Sequence, residues 1–176
     1  AGRNAVLGGI DFLNQDPDRL LEMRLNFYLR GLNKTEDPKA ENELVGPNGE
    51  IVGRVKNGRP KFFPDYYVIP MSLDKDNDAQ EAFNMIDYFK RNGVLVKELK
   101  EDIGNYKKGD LVIDMAQAKR GYANHILYKG SNESAWAAMY AELLVNFPDM
   151  RGFKSEPVFA DGLFNGKLGE VTTTRA

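Results

Sequence analysis

Cysteine is absent from the 176 residues, and histidine occurs once, as His125. The first absence removes disulfides, thiolate nucleophiles and cysteine-ligated metals together. The second leaves a catalytic zinc without a ligand set, because such a site needs about three protein ligands, most often including two histidines. His125 lies in a helical pattern beside Ile126 and Leu127, with no second imidazole to pair with. A structural or surface histidine is the simpler account. A basic excess is missing too. Lys and Arg number 24 against 26 Asp and Glu, giving a formal charge of -2 and a pI near 5.6. Nucleic-acid binders normally carry a strong positive field, so that class is set aside. No apolar run reaches the ~18 residues of a membrane-spanning helix. The stretch Ala1–Leu7 lacks the apolar core of a signal peptide, so a secretion signal is expected outside these residues if the protein is exported.

Several ligand motifs are also wanting. Asp74-Lys75-Asp76-Asn77-Asp78 resembles the start of a calcium loop, but Ala79 and Met85 stand where Gly and Glu are required. Acidic capping of a helix N-terminus explains the run better. Gly46-Pro47-Asn48-Gly49 and Gly53-Arg54 fit neither glycine-rich phosphate loop in spacing. Ser72, Ser131, Ser134 and Ser155 stand in no Gly-x-Ser-x-Gly elbow. No catalytic residue and no metal ligand is therefore assigned.

What is present reads as one folded unit of ordinary composition, 42% hydrophobic and 28% charged. Val6, Leu7, Ile10 and Leu13 recur at helical spacing, although Gly8-Gly9 weakens that helix. Asp16-Pro17 restarts it as an N-cap followed by proline. Leu21, Leu25, Tyr28 and Leu32 then form a stripe, with Gly31 at the expected end. Residues 33–64 read as a long connection, with a hairpin around Asn57-Gly58. Tyr66–Pro70 predicts a strand, and Asp78-Ala79-Gln80-Glu81 a capping box opening a helix with Ala82, Phe83, Ile86 and Phe89 on one face and Gly93 as its stop. Val94–Val96 and Leu111–Ile113 predict two further strands, and 118–128 and 133–145 two further helices. The strands are nearly continuous in apolar residues, as buried parallel strands are. The expected fold is α/β: a small, mostly parallel sheet with helices packed on it in Rossmann-like or amidotransferase-like layers, plus an N-terminal helix and a hairpin excursion. Residues 1–64 would form the helical segment with its long loop, 65–150 the α/β core, and 151–176 an irregular tail on that core.

Two cationic features invite a binding role. Arg54, Lys56, Arg59 and Lys61 alternate along the expected hairpin, where solvated edge-strand charges are the plainer explanation. The second is Asp114-Met115-Ala116-Gln117-Ala118-Lys119-Arg120-Gly121, placed where a strand hands over to a helix. In open parallel sheets ligands gather at the carboxyl ends of strands. Asp114, Gln117, Lys119 and Arg120 are accordingly the candidate binding residues. Capping by Asp114 and Gln117, with Lys119 and Arg120 facing water, is the structural alternative.

Tyr66-Tyr67-Val68-Ile69-Pro70, Asn92-Gly93-Val94-Leu95-Val96 and the run Gly109–Asn124 occur in this order. Together they resemble the region that follows the catalytic domain in large bacterial zinc carboxypeptidases of the carboxypeptidase A type. The likeness spans roughly Phe62 to Phe153. It implies a parent enzyme whose zinc lies in a His-x-x-Glu site, a motif that His125-Ile126-Leu127-Tyr128 does not supply. No zinc ligand or base carries over, and this chain is expected to be inactive alone and to hold no cofactor itself. Some such proteins end in a unit similar to glutamine amidotransferases, whose catalytic cysteine has no counterpart here.

The leading expectation is a non-catalytic accessory domain of a secreted bacterial zinc carboxypeptidase. It would support the catalytic domain of the same polypeptide or help bind peptide or cell-wall substrate, outside the cell or at its surface, with the cytoplasm left open. A free-standing ligand-binding module, with a pocket around Asp114, Gln117 and Arg120, is the rival. A cryptic enzyme ranks last.

Overall fold

The computed structural model describes residues 2–36, 48, 60–72, 78–129 and 147–172. The expected helix 133–145 lies outside the described residues, as does the hairpin around Asn57-Gly58 except for 60–63, which form bends and no strand.

Two helices come first, α1 (Gly2–Gln15) and α2 (Pro17–Leu32). The break between them is the Asp16-Pro17 signal at work. The Asp16 carboxylate accepts from the Arg19 N–H at 3.1 Å, and Pro17 opens α2 with a fixed φ and no donor to lose. Beyond α2 the chain turns through Lys34, whose φ of 49° is left-handed. The Lys34 and Thr35 N–H groups donate back to the Gly31 and Arg30 carbonyls and close the helix end.

Strand β1 (Tyr66–Ile69) is followed by α3 (Ala79–Arg91). Asp78 caps α3 through its carboxylate, which accepts from the Gln80 and Glu81 N–H groups. The return half of a capping box is absent. The Asp78 N–H donates to the Gly152 carbonyl at 2.7 Å, and the Glu81 carboxylate faces Asn84 and Arg151 instead. Gly93, at φ +75°, ends the helix where the sequence placed its stop. Then come β2 (Lys97–Leu99), β3 (Leu111–Asp114), α4 (Arg120–Leu127), the short α5 (Phe147–Arg151), β4 (Glu156–Val158) and β5 (Leu168–Gly169).

The strands form one five-stranded sheet in the order β4-β1-β3-β2-β5, and every neighbouring pair is antiparallel. This corrects the expectation of a mostly parallel sheet. Because β1 and β2 are each antiparallel to β3, they run parallel to each other, joined through α3. A β-α-β unit is therefore present, but β3 is inserted between its two strands. Alternation of strand and helix along the chain cannot distinguish this split arrangement from adjacent parallel strands.

The apolar runs also have another cause. Successive residues of β1 and β3 point to opposite faces, and both faces are covered. Tyr67, Ile69, Leu111 and Ile113 meet Ala82, Met85 and Phe89 of α3 and Ala123, Ile126 and Leu127 of α4 in one core. Tyr66, Val68 and Val112 meet Leu99, Val158 and Phe164 in a second. The second cover is the irregular C-terminal segment, not a layer of helices. Uniform burial thus follows from two covers and not from strand direction. The segment Val94–Val96 is a second correction. Val94 and Val96 are buried and Leu95 is 62% exposed, but the strand lies three residues later, at Lys97–Leu99.

Gly31 marks where the N-terminal helices meet the sheet domain. It is buried, and a Cβ there would lie 2.4 Å from the Gln117 carbonyl oxygen, a backbone atom that cannot swing away. Gly31→Ala is expected to cost about 1–3 kcal/mol by forced displacement. Gly8→Ala, where no atom lies within 4 Å, should raise helicity through the roughly 0.5–1 kcal/mol advantage of Ala over Gly. Urea unfolding and helical circular dichroism of the two variants check this pair of opposite signs.

Candidate functional site

The four candidate residues follow the end of β3, and the structure gives each a different occupation. The Asp114 side chain, 40% exposed, accepts from the Ala116 N–H at 2.8 Å and forms a local turn. Gln117 is 2% exposed. Its Oε1 accepts from the Leu95 N–H at 2.9 Å, and its Nε2 donates to the Asp114 carbonyl at 2.6 Å and the Leu95 carbonyl at 3.3 Å. One side-chain amide thus bonds both backbone groups of Leu95 as a neighbouring strand would, while 94–96 stays outside the sheet with Val94 and Val96 buried and Leu95 exposed. Lys119 occupies the N-cap position of α4 without a side-chain cap bond, and its ammonium lies 5.5 Å from the Tyr28 ring centroid. Arg120, 6% exposed, donates to the Thr35 carbonyl at 2.8 Å, faces Glu36 at 3.6 Å and lies over the Phe63 ring at 4.2 Å.

A mixed-charge corner stands beside them that the sequence reading did not identify. Lys34 Nζ lies 2.7 Å from Asp161, 3.6 Å from Asp65 and 4.0 Å from Asp114. It also sits 5.0 Å from the Tyr66 ring centroid. Asp65, 2% exposed, is paired with Lys61 at 2.6 Å. These groups come from the end of α2, the approach to β1, the end of β3 and the C-terminal segment. Lys34 and Asp161 are 127 positions apart, so no local pattern reveals the pair. A charged residue abutting the apolar run Tyr66–Ile69 was the one available signal, at Asp65. Of the expected hairpin cations only Lys61 is described, and it belongs to this corner. His125 is exposed on α4, and the Ser155 hydroxyl is buried and donates to the Leu127 carbonyl at 3.2 Å.

On the other side of α3, a cleft of about 220 Å³ is lined by Asn84, Met85, Asp87, Tyr88, Arg91, Phe147 and Arg151. The Tyr88 and Tyr122 rings stack at 6.3 Å with their hydroxyls 2.6 Å apart. Burial, aided by the hydrogen bond and proximity of Tyr88, pushes the Tyr122 phenol up to about 12. Among the described residues no group of three or more His, Asp or Glu is arranged to hold a metal ion. No described helix is long and apolar enough to cross a membrane.

Set against protein-family models, curated proteins and solved structures, the chain matches none of them. Function must therefore be read from this corner and from the surfaces around it.

The corner has a defined response to pH. Burial opposes the charge on Lys34, but its hydrogen bond to Asp161 and the fields of Asp114, Tyr66 and Asp161 outweigh that, and its pKa rises above 10.5. The same hydrogen bond and charge hold Asp161 below 3.8. Burial raises the Tyr66 phenol above 10.0, against the pull of Lys34. A depressed carboxyl stabilises the fold fully above its unfolded pKa and loses that effect as pH falls through the folded one. A raised ammonium or phenol does so below its unfolded pKa and loses it as pH rises through the folded one. The corner should contribute a plateau between about 4 and 10, fading on either side. Asp161→Asn should flatten part of the acid limb of the urea midpoint and lower the Lys34 pKa measured by NMR. An unchanged acid limb would show the pair to be idle.

Proposed function

We propose that this chain is a non-catalytic accessory domain of a secreted bacterial zinc carboxypeptidase, acting outside the cell or at its surface and supporting the catalytic domain of the same polypeptide. The observation that carries this reading is the uncovered helical arm. Leu21 is 68% and Leu25 57% exposed, whereas Phe62 is buried and Phe63 partly buried in the domain itself. Apolar surface of this extent usually marks a place where another folded surface sits.

Two further points support it. The segments that resemble the carboxypeptidase region fall on β1, on the turn into β2, and on β3 with α4, which is the scaffold of the domain. Gln117 and Arg120, central to the rival idea of a ligand pocket, spend their hydrogen-bonding groups on Leu95, Asp114 and Thr35. The module therefore offers a surface more readily than a pocket. Zinc, and the His-x-x-Glu ligands for it, would belong to the parent enzyme, along with the grip on peptide or cell-wall substrate.

The test is made on the parent polypeptide. Its coding sequence should contain a His-x-x-Glu zinc domain, and all carboxypeptidase activity should reside there. In a folded parent, Gln117→Ala with Arg120→Ala should leave KM unchanged. Stoichiometric zinc or peptidase activity in the 176-residue chain alone would overturn the reading. A rise in KM in the double variant would favour the ligand-binding module instead.

A further inference from the structure

The cleft beside α3 holds hydrogen-bond donors that the fold does not use. Arg91, in the last turn of α3, makes no ion pair and no side-chain hydrogen bond among the described residues. Arg151 reaches the cleft from α5. Its Nη1 donates to Glu81 at 3.0 Å, and Glu81 accepts from Asn84 at 2.8 Å. Those contacts aim the guanidinium while occupying only one of its N–H groups, and the others stay open. Tyr88 is the third donor. Its hydroxyl accepts from Tyr122 at 2.6 Å, and its own proton has no acceptor among the described residues.

The rest of the wall is apolar. Met85 is 2% exposed, and Tyr88 and Phe147 are partly buried against the helix-side core. Stacking on Tyr122 fixes the Tyr88 ring before any ligand arrives. An apolar wall with a few placed polar groups is the usual make-up of a small-molecule site.

Charge and size say what fits. Asp87 is the one acid on the wall, and it already has a partner within the protein. Glu81 offsets Arg151, so Arg91 is the cation left to be met. A single carboxylate meets it, because its paired oxygens match the guanidinium fork. The cleft of about 220 Å³ is smaller than the roughly 300–1,000 Å³ of drug-sized sites. It equals about seven waters at ~30 Å³ each, which suits one ring and its acid group.

We propose that this cleft binds a small aromatic carboxylate, its oxygens held by Arg91, Arg151 and the Tyr88 hydroxyl and its ring set against Phe147, Tyr88 and Met85. Bound there, the ligand bridges α3 and α5. The site shares no residue with the helical arm, the mixed-charge corner or the stretch 114–121. It therefore stands or falls apart from the accessory reading.

Phenylacetate is the probe, added to the isotope-labelled 176-residue chain and followed by amide NMR. Saturable shifts are expected at 84–91 and 147–151, with a Kd on the order of 1 mM or tighter for a ligand of about ten non-hydrogen atoms. Phenylacetamide keeps the ring without the charge, and it should bind about tenfold more weakly or worse. Arg91→Ala should weaken phenylacetate binding by about tenfold or more, and Arg91→Lys should restore part of the loss. Arg91 is exposed, so both variants should keep the parent circular dichroism. Four results overturn the site: no saturable shift up to about 20 mM, shifts centred elsewhere, equal binding of phenylacetamide, or an Arg91→Ala variant that binds as the parent does.

Discussion

Strand β3 has a neighbour along each edge and an apolar layer against each face, and the rest of the domain is arranged around that requirement. Its residues alternate between two cores. Leu111 and Ile113 face the helices, and Val112 faces Leu99, Val158 and Phe164. A strand dry on both faces needs two covers, and α3 with α4 supplies only one. The other comes from the C-terminal segment, which also provides both edge strands, β4 against β1 and β5 against β2. Phe164 meets Tyr66 edge to face at 4.9 Å, and the buried Glu98 carboxylate accepts from the Thr172 N–H at 2.6 Å. A segment that reads as turn-rich punctuation is thus half of the core's enclosure. Its glycines at 162 and 166, both at positive φ, let it fold back tightly enough to do so.

Where a structural cause was local, the sequence displayed it. Asp16-Pro17, Asp78 and Gly93 each act within one helical turn, and each ends or begins a helix where its chemistry dictates. The strands at Tyr66 and Leu111 were legible because an apolar run between polar stretches has few other uses. Strand direction was not legible, since burial on both faces produces the same run in either orientation. The segment Val94–Val96 misled for a related reason. Its backbone is satisfied by the side chain of Gln117, 22 positions away, and a side chain imitating a strand leaves no mark on the segment it serves. Gln117 and Arg120 were singled out as candidate binding residues, and both prove to be buried. Their polar groups are turned to internal partners, and in a sequence that looks the same as burial awaiting a ligand.

The mixed-charge corner illustrates a different limit. Lys34, Asp65, Asp114 and Asp161 come together only once the sheet and its second cover have formed. Exposed pairs of this kind add little stability individually. Asp65 differs, because it is buried, and removing its lysine partners would leave a carboxylate short of compensation. The corner therefore fixes the relative placement of four chain segments more than it stabilises any one of them.

That placement connects the arm to the sheet. α2 reaches the domain through its last turns, where Gly31 lies against the Gln117 carbonyl and Phe27 packs over Gly121. Immediately beyond, Lys34 enters the corner and Arg120 holds the Thr35 carbonyl. Residues 27–36 are consequently gripped by the same short stretch, 114–121, that closes β3 and opens α4. The stretch that most resembled a ligand site is, in physical terms, the joint between the sheet domain and two helices whose large apolar side chains are exposed. Its buried members, Gln117 and Arg120, spend polar groups inside the protein, on Leu95, Asp114 and Thr35, and Arg120 does so across the joint itself.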